Sequence, residues 1–318
     1  MRLRHLVLAT LLAVSPALFA QSPVWQPPAN LITLRLWPHG APGEPAHPAP
    51  EANSFVSHLV AGRHYIRLTN VSNPTLTLYP AKGHNTHTAV LAFPGGSYKI
   101  LALNIEGTEI CHWLNSIGVN CILVKYRVPN SGPYPQHAAA LQDAQRAMGL
   151  VRRHARAWHI NPHRIGVIGF SAGGNLVAQL STHFQRRVYQ PVDAADKLSC
   201  RPDFAMLIYP AYIPQPDNLN EARPNFHVTP NTPPSFLVQA EDDPIHVENS
   251  IDYFLLLKHA GVPAQMHIFA HGGHGYGMRL IHRSVSVNDV NPPSPRPLPI
   301  THWPSLAATW MQSIGVLK

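Results

Sequence analysis

Around residue 171 the chain reads Arg164-Ile165-Gly166-Val167-Ile168, then Gly169-Phe170-Ser171-Ala172-Gly173-Gly174, then Asn175-Leu176-Val177-Ala178-Gln179-Leu180. The first block is a short apolar run, which predicts a strand buried on both faces. The last has apolar residues at helical spacing. A serine between glycines at such a junction predicts a sharp strand-to-helix turn that lifts its hydroxyl clear of the backbone. That turn strains the serine and leaves no room for side chains two residues to either side, where Gly169 and Gly173 stand. The helix start behind Ser171 also brings free N–H groups and a positive dipole end to an oxyanion forming there. A nucleophile so placed needs a base, an acid and a second oxyanion donor from elsewhere in the chain.

The surrounding pattern alternates strands and helices. Buried strands are expected over 88–93 and 119–126, further strands over 204–209, 235–240 and 264–269, and helices over 105–114, 136–158, 247–260 and 303–316. Residues 65–71 and 75–79 read as two antiparallel strands turning at Asn73-Pro74. Residues 21–60 are Pro-rich, with one plausible strand over 31–37, and 211–233 read as a Pro/Asn-rich insertion. The alternation predicts one α/β domain over 61–318 with a mostly parallel, doubly wound sheet and helices on both faces. Sites in such sheets form beyond the carboxyl ends of the strands, so the loops there are the ones to inspect.

Three of those loops carry chemistry. Pro94-Gly95-Gly96-Ser97-Tyr98 follows one buried strand and makes an oxyanion loop at Gly95-Gly96-Ser97, whose N–H groups, chiefly at Gly96 or Ser97, are expected to face that of Ala172 across an oxyanion. Glu241-Asp242-Asp243 follows another; Asp242 leaves the strand first and is favoured as the acid, with Asp243 the alternative. His271-Gly272-Gly273-His274-Gly275 follows a third, and His274, between glycines, is favoured over His271 as the base. The order Ser171, Asp242, His274 matches what a nucleophile on such a turn requires. His271 and His274 have no third ligand nearby for a metal. Trp25, Trp37, Tyr98, Tyr209 and Tyr212 either stack on sugar rings or pack against the sheet, and packing is the commoner fate.

Composition limits the remaining classes. The net charge is +8, yet Lys and Arg are scattered with no basic block, which argues against nucleic acid and leaves loose attraction to acidic polymers. The start has a basic Met1-Arg2-Leu3-Arg4-His5, an apolar stretch over 6–19 and Ala20 before Gln21, the layout of a signal peptide over 1–20 rather than a stable membrane anchor. An exported protein, periplasmic or extracellular, is expected. Cys111 and Cys121 are able to meet as a disulfide or stay as buried thiols, and Cys200 makes an odd third.

Across residues 35–280 the chain resembles secreted α/β-hydrolases of the acetyl xylan esterase and bifunctional acetyl/feruloyl carbohydrate-esterase type. The resemblance rests on Leu36-Trp37-Pro38, Phe93 to Tyr98, Lys125-Tyr126-Arg127-Val128-Pro129, Asp143-Ala144-Gln145-Arg146-Ala147, Arg164 to Gly174, Arg201-Pro202-Asp203-Phe204, Asp242-Asp243-Pro244 with Val247-Glu248-Asn249-Ser250, and Gly272-Gly273-His274-Gly275. It implies an α/β-hydrolase fold and a serine esterase without cofactor acting on small esters or esterified polysaccharide, with Ser171, Asp242 and His274 as its triad. Ser97 departs from a usual third glycine, and the 210–234 loop lies outside the match. A prolyl-oligopeptidase-like peptidase and a non-catalytic binding protein are the rival readings. The first needs a site for a peptide terminus, and the second would normally have lost a triad member.

Overall fold

The computed structural model describes residues 24–54, 59–129, 131–285 and 292–317. The leader expected over 1–20 lies outside them. Eight strands form the main sheet: β1 (Thr33–Arg35), β2 (Thr75–Tyr79), β3 (Ala89–Phe93), β4 (Asn120–Lys125), β5 (Ile165–Phe170), β6 (Ala205–Ile208), β7 (Ser235–Ala240) and β8 (Ala264–Phe269). Their order across the sheet is β1-β2-β4-β3-β5-β6-β7-β8. Only the β1–β2 and β2–β4 pairs are antiparallel; from β4 to β8 the pairing is parallel.

The composition of the strands explains their places. Every residue of β3 to β7 is buried, as a parallel sheet covered on two faces requires. Strand β8 closes the edge, none of its residues is fully buried, and Ile268 is 39% exposed. Five helices connect or flank the strands: α1 (Glu109–Ser116), α2 (Ala139–His154), α3 (Ala172–Thr182), α4 (Glu248–His259) and α5 (Trp303–Ser313). The step from β3 to β4 runs one way across the sheet and the step from β4 to β5 the other. Right-handed crossovers then put α1 and α2 on opposite faces. Trp113 of α1 meets Trp303 of α5 at 5.4 Å on one of them. Among the described residues no helix is long and apolar enough to cross a membrane.

One expected hairpin does not form. Residues 65–71 and 75–79 do contain strands, but these belong to different sheets. Arg67–Thr69 pairs with Ala52–Ser54 and with Leu101–Ala102, whereas β2 lies between β1 and β4. Leu76, Thr77, Leu78 and Tyr79 are all buried, so β2 takes an interior position that a two-stranded hairpin could not supply. The Pro-rich start is likewise built into the domain. Trp37 donates through Nε1 to Asp143 on α2 at 2.8 Å, Arg127 forms a fully buried ion pair with Asp143 at 2.9 Å, and Arg127 Nη1 donates to the Pro42 carbonyl. Cys111 and Cys121 form a disulfide, while Cys200 is free and buried.

Candidate active site

Ser171 sits between β5 and α3 at φ 53° and ψ −119°, the strained turn that the flanking glycines predict. A Cβ on Gly173 would lie 2.0 Å from the Phe93 carbonyl oxygen, and one on Gly169 would lie 2.1 Å from the Gly173 carbonyl oxygen. The Ser171 hydroxyl does not cap its own helix. It meets His274 instead, with Oγ 2.8 Å from Nε2. The serine keeps 9% of its surface, enough to be reached from one side.

The acid differs from the sequence expectation. Asp243, not Asp242, meets His274, with Oδ2 2.9 Å from Nδ1. Pairing with β8 continues past Ala240, since the Glu241 N–H donates to the Phe269 carbonyl. The chain then leaves the sheet in a tight turn, with the Asp243 N–H donating back to the Ala240 carbonyl at 3.4 Å, and the two carboxylates leave it on different sides. Asp242 turns under the histidine loop, where Oδ1 accepts the N–H groups of Gly272 (3.0 Å) and Gly273 (2.8 Å) and Oδ2 accepts from Ser284. Asp243 turns the other way and is buried, its oxygens also accepting from Ile245 N–H (2.7 Å) and Gln239 Nε2 (3.0 Å). His271, the alternative base, is an exposed partner of Asp242 at 3.3 Å.

The oxyanion loop needs a second correction. The Gly95 N–H is not open to a ligand, because it donates to Glu106 Oε2 at 2.7 Å. Gly96 and Ser97, with φ 128° and 56°, line the cavity beside Ser171, and Ala172 opens α3. Those three are the positions left for the oxyanion donors expected from the sequence.

Glu106 is the residue that the sequence reading missed. It lies in a single π-helical turn, Asn104–Thr108, a distortion often found at functional sites. Its side chain is buried, with Oε2 on Gly95 and Oε1 accepting the Tyr209 hydroxyl at 2.9 Å. The Tyr209 oxygen in turn accepts the Gly277 N–H at 3.0 Å, and the Tyr209 ring stands edge-on to His274 at 4.9 Å. Burial pushes the Glu106 carboxyl above its usual range, against the two hydrogen bonds that favour its charge. One carboxylate thus ties the oxyanion loop to the histidine loop. A lone Glu inside the apolar run Leu101-Ala102-Leu103-Asn104-Ile105-Glu106 was the available signal.

The cavity above Ser171 has a volume of about 310 Å³ and is walled by Gly96, Ser97, Ile105, Ala211, Tyr212 and Ile245, among others. Of the five aromatic residues singled out in the sequence, only Tyr212 faces it. Trp37 and Tyr209 are core, and Tyr98 is buried with its hydroxyl donating to Asn175 at 2.7 Å.

Comparison with known proteins agrees with this fold. Residues 90–229 match a family model described as the alpha/beta hydrolase fold. An acetylxylan esterase of Xylanibacter ruminicola is 32% identical over 206 residues, 59% of this chain and 41% of that protein. An endo-1,4-beta-xylanase B of Butyrivibrio fibrisolvens is 27% identical over 220 residues, 64% of this chain and 34% of that one. The chain thus spans less than half the length of these two relatives. The crystal structure of an acetyl ester-xyloside bifunctional hydrolase from Caldicellulosiruptor lactoaceticus superposes with a TM-score of 0.67 at 30% identity, covering 90% of this chain and 97% of that one.

Proposed function

The chain belongs to the α/β-hydrolase family, and on that premise we propose that it is a serine carboxylester hydrolase. In this reading it removes acetyl or feruloyl groups from esterified carbohydrate such as xylan. The observation that carries the reading is the unbroken line Ser171 Oγ, His274 Nε2, His274 Nδ1, Asp243 Oδ2, with steps of 2.8 and 2.9 Å. The first is a hydrogen-bond distance suited to passing a proton from Ser171 to His274, and the second to holding the imidazole and stabilising its charged form.

Ser171 attacks the ester carbonyl as His274 takes its proton, and Asp243 holds the imidazole in the tautomer whose Nε2 accepts. The N–H groups of Ala172 and of Gly96 or Ser97 stabilise the oxyanion, each worth about 3 kcal/mol. His274 then protonates the leaving alcohol. A water molecule, deprotonated by the same histidine, resolves the acyl-enzyme and frees the acid. The carbohydrate assignment draws on the acetylxylan esterase, xylanase and xyloside-hydrolase relatives. Replacing Ser171 by Ala removes nearly all p-nitrophenyl acetate turnover while leaving thermal unfolding intact; activity near that of the parent would sink the assignment. Acetate release from acetylated xylan, set against simple aryl esters, tests the substrate class.

Export belongs to the same proposal. It is supported by the basic, apolar and small-residue sequence over 1–20 and by the Cys111–Cys121 disulfide, a bond typical of oxidising compartments. Cell fractionation with N-terminal sequencing decides it, and a cytosolic protein with its first residues intact would refute it.

A further inference from the structure

We propose that the catalytic cavity carries an anion subsite, formed by Arg67 and Lys99, that receives the carboxylate of a uronic-acid unit on the ester substrate. The proposal rests on the ester-hydrolase reading above and narrows its substrate class to esters of acidic glycans.

Both cations line the cavity that holds Ser171 and His274. The backbone of Arg67 is fixed by strand pairing with Ser54 and Ala102, and its carbonyl accepts the Ser54 hydroxyl at 3.2 Å. Its guanidinium is different. Among the described residues, Nε is buried with no hydrogen-bond partner and no carboxylate lies within ion-pair distance of the group. Among the described residues, the fully buried arginines are not left so. Arg279 holds Glu109 and three carbonyl oxygens, Arg127 holds Asp143, and Arg146 holds Asp193 and Asp196. Among the described residues, the one carboxylate of the cavity walls, Glu106, is directed at Gly95 and Tyr209. A half-buried guanidinium without a counter-charge is unfavourable, and its fork of N–H groups matches a carboxylate.

Lys99 stands beside the oxyanion donors, since its N–H donates to the Gly96 carbonyl at 2.9 Å in the same turn. Its side chain is exposed and, among the described residues, makes no ion pair. Two permanent positive charges therefore face a ligand whose ester lies at Ser171. In an esterified glycan, the group of opposite sign within reach of the ester is a uronate carboxylate. The net charge of +8 acts in the same direction at longer range, raising the encounter rate with a polyanion.

The test compares kcat/KM for acetylated methyl glucuronoside with that for acetylated methyl xyloside, with p-nitrophenyl acetate as the uncharged reference. The expected ratio of acidic to neutral sugar is about tenfold or more, the effect of one charge-assisted pair. It falls towards one in Arg67→Gln and at about 0.5 M salt, is partly kept in Arg67→Lys, and falls further when Lys99→Gln is added. Acetylated galacturonan and acetylated glucuronoxylan, run side by side, show which uronate is preferred. A parent enzyme that hydrolyses p-nitrophenyl acetate but shows no preference for the acidic sugar overturns the subsite alone, as does a ratio unchanged by Arg67→Gln. Absence of all ester turnover overturns the hydrolase reading and the subsite with it.

Discussion

Two adjacent carboxylates, Asp242 and Asp243, make different contacts, and replacing each by Asn separates their work. In Asp243→Asn, the Ile245 N–H at 2.7 Å retains the amide oxygen in the place of Oδ1. The amide NH2 then takes the place of Oδ2, facing His274 Nδ1 at 2.9 Å and Gln239 Nε2 at 3.0 Å. It can only donate to Nδ1, so the imidazole carries its proton on Nε2 and cannot accept one from Ser171. The expected loss in kcat is about ten-thousandfold, equivalent to about 5.4 kcal/mol of barrier. In Asp242→Asn the amide oxygen still receives Gly272 and Gly273, while the Ser284 hydroxyl rotates to accept instead of donate. The loss there stays within about tenfold, of the order of one weakened hydrogen bond. Steady-state kinetics on p-nitrophenyl acetate, with circular dichroism to verify folding, reads both. If Asp242→Asn were the more damaging substitution in kcat, the assignment of Asp243 as the partner of His274 would be wrong.

Other perturbations follow from contacts already described. Glu106→Gln keeps an acceptor for Gly95 but turns an NH2 towards Tyr209, leaving the tyrosine hydroxyl without its acceptor; kcat drops about 10- to 100-fold with KM little changed, and an equal rise in KM would argue against a positioning role. Gly173→Ala drives a methyl group to within 2.0 Å of the Phe93 carbonyl, so β3 and α3 must part and the melting temperature falls by an amount corresponding to about 3 kcal/mol or more; an unchanged melting curve refutes the packing. Asp252 is only 6% exposed and its Oδ2 has no hydrogen-bond partner, and burial, helped by Glu248, pushes its carboxyl up to about 6. The folded state thus holds a proton that the unfolded chain releases near pH 4, so this group's contribution to stability falls as pH rises from 4 to 6; Asp252→Asn raises stability by about 1–2 kcal/mol at pH 7 and by only about a fifth of that at pH 4, as denaturant titrations at both pH values would show.

The positions of the parallel strands along the chain were legible because buried strands announce themselves as unbroken apolar runs. The predicted bounds of β7 and β8 match the structure residue for residue. Ser171 and His274 were legible because the positions of their flanking glycines say where the backbone must turn. The acid was not, because Asp242 and Asp243 share one tight turn after β7, and what separates them is their partners, Gly272, Gly273 and Ser284 for one and Gln239 and Ile245 for the other, which strand pattern does not reveal. Strand pairing between 65–71 and 75–79 was misread for a related reason: local alternation reveals a strand but not its neighbour, and the partners of Arg67–Thr69 come from 15 residues before it and 33 after it in the chain. Glu106 was missed because its role consists wholly of contacts with Gly95 and Tyr209, the latter 103 positions away.

The three groups of the proton line hang from strands of unequal security. Ser171 follows β5 and Asp243 follows β7, strands buried at every position, whereas His274 follows the half-covered edge strand β8. Elements with few buried neighbours open at lower free energy than the core they rest on. Under gentle heat or denaturant the base is therefore released while the nucleophile and the acid still stand in place. Inactivation should precede the loss of helical signal, and a chain that has just lost turnover remains one local rearrangement, rather than a whole refolding, away from recovering it.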